Sequence, residues 1–144
     1  MNPESVFSLC GLIAMAGWVL LIFVPRPRWS TMVVGAIPLV LASMYAALLA
    51  LHWGERTGGF STLATVAELF SNRWLLLAGW IHYLSFDLFI GIWEVRDSTE
   101  RKVPHLLVVP CLILTFLFGP IGLLCYFLLR SIWERLGPRS EDVA

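Results

Sequence analysis

Four apolar stretches, at residues 6–24, 32–53, 74–93 and 106–133, limit what this chain can fold into more than any other feature. A bilayer's hydrocarbon core is about 30 Å thick and a helix rises about 1.5 Å per residue, so about 20 apolar residues make one crossing. In lipid every backbone polar group must be satisfied within its own segment, and a helix does that. The expected fold is therefore all-α and integral to a membrane: a bundle of four transmembrane helices. Composition agrees, with 58% hydrophobic residues, 14% charged residues and a mean hydropathy of +0.79. Soluble domains run near roughly 45–50% apolar and about 25% charged. A chain of 144 residues has room for one such domain, expected over 1–136, with 137–144 as a solvated tail.

The segment ends carry the expected anchors. Trp29, Trp53, Trp74, Trp93 and Trp133 all stand at edges, where an amphipathic ring prefers the headgroup region. Between the second and third stretches, Gly58-Gly59 breaks the chain. Phe60, Leu63, Ala67 and Phe70 then recur at helical spacing, which predicts a short amphipathic helix at the interface or as a lid. Pro38 and the Gly119-Pro120 pair predict kinks, since proline removes a backbone donor and crowds the preceding turn. Four crossings put Arg56, Arg73, Arg130, Arg135 and Arg139 on one face and Arg26, Arg28, Arg96, Arg101 and Lys102 on the other. Basic charge is thus balanced, and only Arg26 and Arg28, directly flanking the first helix, place the second group in the cytoplasm. The N-terminus has no basic region or cleavage-site pattern, so the first stretch is read as a retained helix of a multi-pass membrane protein.

Several classes are excluded. Ten basic and ten acidic residues leave no net charge, so nothing marks nucleic acid as a partner. Cys10, Cys111 and Cys125 are odd in number, lie in apolar segments and form no CxxC pair, which reads as packing. No catalytic-triad order or phosphate-binding loop occurs.

The third stretch holds the chemistry. His82 and Asp87 lie near its middle, where an ionisable group costs about 2.5–3.5 kcal/mol on insertion scales. At about 100° per residue, Tyr83, Asp87, Gly91 and Glu94 form one stripe and His82, Phe86, Phe89 and Trp93 a neighbouring one. His82 and Asp87 are thus about 140° apart around the axis and about 7.5 Å apart along it, too far to pair within one helix. Arg96, Asp97, Glu94 and His105 are expected near one membrane rim. Acid/base work on a lipophilic substrate fits these groups. Metal binding fits less well, because no HxxxH or ExxH pair shares a face, and no metal is expected. A structural reading instead pairs Asp87 with Tyr45 or Tyr126.

The run Gly79-Trp80-Ile81-His82-Tyr83-Leu84-Ser85-Phe86-Asp87, with Arg96-Asp97, Val103-Pro104-His105 and Phe118-Gly119-Pro120, resembles the abscisic-acid-deficient-4-like membrane proteins. Gly58-Gly59-Phe60 and the later Leu69-Phe70-Ser71 add to the likeness. The resemblance implies a carotenoid or related isoprenoid lipid as ligand and, with no plastid transit pattern before the first stretch, a bacterial member in an inner membrane or a processed core. It also implies an acid/base isomerisation of the kind that turns violaxanthin's epoxide into neoxanthin's allene, with no redox cofactor. On that footing Asp87 is the expected acid and His82 the base, with Asp97 and His105 orienting the site. Trp80, Tyr83, Phe86 and Arg96 are the expected substrate contacts. The rival expectation is a pigment- or lipid-binding subunit that assists another enzyme. A forty-carbon polyene is large for four short spans, so a homodimer is a further expectation.

Overall fold

The computed structural model describes residues 2–24 and 28–136, the side chains of 28–33 excepted. The Arg26 loop and the 137–144 tail expected above lie outside the described residues. Six α-helices make up the described chain: α1 (Pro3–Phe23), α2 (Arg28–His52), α3 (Leu63–Leu69), α4 (Arg73–Glu100), α5 (His105–Phe118) and α6 (Pro120–Leu136), with a 3₁₀ turn at Trp53–Glu55. Three of them, α1, α2 from Val34 onward, and α4, are long and apolar enough to cross a membrane. Two compact units are present, Met1–Phe89 and Ile90–Ala144, and α4 contributes to both.

In the first unit, α1 starts at Pro3, three residues ahead of the expected stretch at 6–24. Asn2 accepts the Ser5 backbone N–H at 2.8 Å, and Pro3 opens the first turn, where its missing donor costs nothing. The core is apolar: Cys10, Ala14, Leu41, Leu77, Ala78 and Ile81 are all buried. Gly17 allows the close approach of Leu88, whose Cδ2 would lie 2.7 Å from any Cβ placed there. Pro38 lies inside α2 without ending it, and its carbonyl accepts the Ser85 hydroxyl at 2.9 Å. That bond ties α2 to α4 in the manner usual for membrane helices.

The second unit departs from the expected fourth span. Residues 106–133 are not one kinked helix but two, α5 and α6, folded back on each other. Gly119 takes φ +47°, ψ −96°, a conformation open to glycine, and Pro120 then starts a new helix instead of continuing the old one. The reversal is tight. A Cβ on Gly122 would lie 2.0 Å from the Thr115 backbone nitrogen. At the other end, the Trp133 indole N–H donates to the Arg101 carbonyl at 3.3 Å, so α6 finishes where α5 began. Before the hairpin, Lys102 at φ +56° closes α4, while the Val103 N–H bonds the Ser98 carbonyl at 2.8 Å.

Candidate functional site: an aromatic cavity around His82

Within the first unit, a cavity of about 350 Å³ is lined by Tyr45, Leu49, Trp53, Phe60, Phe70 and His82, with Leu69, Leu75, Ala78 and Gly79 completing the wall. Its shape is set by local chemistry. Asn72 accepts the Trp74 N–H at 2.9 Å and so starts α4. A capping box at Thr62 and Thr65 starts α3, whose end delivers Leu69 and Phe70 to the cavity. Gly58, at φ +77°, turns the chain so that the Gly59 N–H donates to the Thr65 carbonyl at 3.0 Å. A Cβ at Gly58 would stand 2.2 Å from that carbonyl oxygen. Phe60 is thereby brought against Trp53, with ring centroids 6.2 Å apart. Gly79 makes room for Phe70, whose Cε1 would be 2.8 Å from a Cβ there. The short helix expected from the periodicity thus exists and walls the cavity.

His82 faces this space. Its ring lies 5.6 Å from Tyr45 and 4.6 Å from Phe86. Imidazole and phenol are the two side chains in the lining able to exchange a proton. Tyr45 was not among the expected site residues. On sequence it was a tyrosine in an apolar helix, and only the packing of α2 against α4 puts it beside His82.

Asp87 lies elsewhere. Tyr83 hydrogen-bonds its carboxylate, and Oδ2 is buried with no hydrogen-bond partner among the described residues. The Tyr83 ring packs at a tilt against Trp80, with centroids 5.3 Å apart, and Trp80 likewise against Phe7 at 5.7 Å. Trp80 in turn lines a second groove, of about 320 Å³, with Phe7 and the Glu4–Arg73 ion pair. The expected tyrosine partners of Asp87 are therefore corrected: Tyr45 packs on His82, Tyr126 bonds Asp97, and Tyr83 takes the place assigned to them. His82 and Asp87 do not share the aromatic cavity.

The expected rim separates as well. Glu94 is not at a rim but fully buried, accepting the Thr115 hydroxyl at 2.9 Å. Asp97 is the hub of an ion-pair network. It accepts the Tyr126 hydroxyl at 2.7 Å, Arg101 Nε at 2.9 Å and Arg130 Nη1 at 3.4 Å. Arg101 and Arg130 both reach on to Glu134. Burial works against the charge on Arg101, but the bond and charge of Asp97, with Glu134 beyond, hold its guanidinium above its ordinary range. Arg96 is exposed, and His105 begins α5 half-buried. His52, at the end of α2, stacks on Trp74 at 4.8 Å.

Residues 5–126 match the family model described as ABA DEFICIENT 4-like. The chain belongs to that family. Comparison with curated proteins and with solved structures gives no match. Every residue lining the His82 cavity lies inside the range matched by the ABA DEFICIENT 4-like model, whereas Arg130 and Glu134 of the Asp97 network lie beyond it. Membership and three long apolar helices together make this ABA DEFICIENT 4-like chain a membrane protein.

Proposed function

We propose that this chain binds a carotenoid or related isoprenoid lipid in a bacterial inner membrane and isomerises it by acid/base chemistry at His82. One observation carries the reading: an imidazole and a phenol share the wall of an otherwise apolar, aromatic-lined cavity. At about 350 Å³ it is the size of a small ligand site. It suits one end ring of a polyene, with the rest of the chain lying along exposed apolar flanks such as Phe86 and Phe89.

The proton balance is simple. Neutral His82 takes a proton from a chain carbon next to the epoxide-bearing ring. The Tyr45 hydroxyl gives its proton to the epoxide oxygen as the C–O bond breaks. The imidazolium then returns its proton to the tyrosinate, and the product is an isomer of the substrate. No electrons change hands. Asp87 acts on this scheme as an anchor for Tyr83 beside the cavity helix, not as the acid.

The test is chromatography with mass spectrometry on pigments from a carotenoid-producing host. A new isomer of unchanged mass should form with the native chain, persist with Asp87→Asn, and vanish with His82→Ala and fall with Tyr45→Phe. Conversion that survives His82→Ala overturns the scheme. A second reading, a binding subunit without turnover, draws on the separation of His82 from Asp87. It predicts bound pigment with no new isomer.

A further inference from the structure

We infer that the chain leaves the membrane on the face where the α5–α6 hairpin entered it, so that its two ends lie on opposite faces, with the C-terminal, basic end in the cytoplasm. The inference starts from the break at Gly119. A single span over 106–133 would carry α6 to the far side. Instead the Trp133 indole bonds the Arg101 carbonyl, and Glu134 pairs with Arg101, so the end of α6 stands beside the end of α4. Helices of 14 and 17 residues are about 21 Å and about 25 Å long, each short of a core of about 30 Å. A pair of that length dips into the bilayer and returns. The exposed Leu106, Leu117, Phe118, Ile121, Leu124 and Leu128 give it a lipid-facing surface. Non-helical backbone at the Gly119 tip is tolerated there because it is covered by protein: Gly119 is buried, and its N–H bonds the Thr115 carbonyl at 2.8 Å.

Three crossings, α1, α2 and α4, then change the charge count. Arg130 and Arg135 move to the face of Arg28, Arg96, Arg101 and Lys102, leaving Arg56 and Arg73 opposite. The tie of the four-span reading is gone. Lysine and arginine near the membrane ends are held in the cytoplasm during insertion, and acidic residues contribute little to that rule, so the pairing of Arg101 and Arg130 with carboxylates does not weaken it. A consequence follows for the cavity, and this part rests on the function proposed above. Trp53, Phe60 and Phe70 belong to the end of α2 and the approach to α4, and Glu4 of α1 pairs with Arg73 at that same end. The His82 cavity therefore lies toward the outer leaflet, from which its lipid ligand is drawn.

The full chain, expressed in a bacterial inner membrane, decides the point without any assay of activity. Its C-terminus is fused in turn to green fluorescent protein, which fluoresces in the cytoplasm, and to alkaline phosphatase, which is active outside it. An epitope at the N-terminus is probed on intact spheroplasts and after permeabilisation. Gain of fluorescence, loss of phosphatase activity and antibody access to the N-terminus without permeabilisation are expected. Both termini on one face would restore a fourth crossing and overturn the inference. Opposite faces with an active C-terminal phosphatase would overturn the assignment of the basic face. Either result would leave the chemistry at His82 open to its own test.

Discussion

Gly122 stands against Thr115 so closely that a Cβ on the glycine would be 2.2 Å from the threonine hydroxyl oxygen, the same hydroxyl that donates to the buried Glu94. The hairpin reversal and the burial of a carboxyl group deep in the second unit thus depend on one missing methyl group. Gly122→Ala should force α5 and α6 apart and cost about 1–3 kcal/mol, the usual range for overpacking. Thermal unfolding of the detergent-solubilised protein should show a lower midpoint. Gly35→Ala, where a Cβ meets nothing within 4 Å, should instead be neutral or stabilising by about 0.5–1 kcal/mol. Equal melting of the two variants would contradict the account of the hairpin.

Thr115→Val keeps the shape of the side chain but removes the donor to Glu94. A buried carboxyl group that loses such a bond costs about 1–3 kcal/mol. Glu94→Gln can still accept from Thr115 and should be much milder. Comparison of their melting points checks the bond, and a Thr115→Val protein as stable as the native one would count against it.

The Asp97 network should divide by burial. The Asp97 side chain is 12% exposed and Glu134 is 46% exposed. Asp97→Ala removes the acceptor of the Tyr126 hydroxyl and leaves Arg101 and Arg130 with Glu134 alone, and should destabilise by about 1–3 kcal/mol. Glu134→Ala removes only exposed pairs and should cost at most about 1 kcal/mol, less at high salt. Unfolding measured at low and high salt separates them, and the reverse ranking would show that Asp97 is not the hub.

Gly58→Ala should impair the cavity through its wall. The substitution meets both a left-handed backbone and the Thr65 carbonyl, so the 58–60 turn must shift and move Phe60 away from Trp53. Tryptophan fluorescence should report the change at Trp53. Gly59→Ala, with nothing within 4 Å of its Cβ, is the matched control and should leave the spectrum as it is.

Much of this was readable from residues alone. The first three apolar stretches became α1, α2 and α4, and the periodicity after Gly58-Gly59 became α3. The roughly 140° between His82 and Asp87 follows from helical geometry and rules out a direct pair. It leaves room for both to flank one cavity, as the acid/base expectation required; the structure puts only His82 there. The reversal at Gly119 was not readable, because an apolar run with Gly-Pro inside it reads alike for a kink and for a hairpin. What decides between them is tertiary: the Gly122–Thr115 contact and the Trp133–Arg101 bond. Tyr45 was missed for the same reason, since nothing near it in the chain signals His82. Glu94 was placed at a rim by its distance along α4, yet the return of α5 buries it.

The most direct measurement is the pigment that copurifies with the protein from a carotenoid-producing host, compared between the native chain and Gly79→Leu. Leucine at 79 would occupy the space of Phe70 and fill the cavity beside His82, while leaving the second groove's lining unaltered. Bound pigment on the native chain, lost from a Gly79→Leu protein that still unfolds cooperatively at a somewhat lower temperature, is the result the account predicts. Equal pigment on both proteins would place the ligand outside the His82 cavity and contradict it.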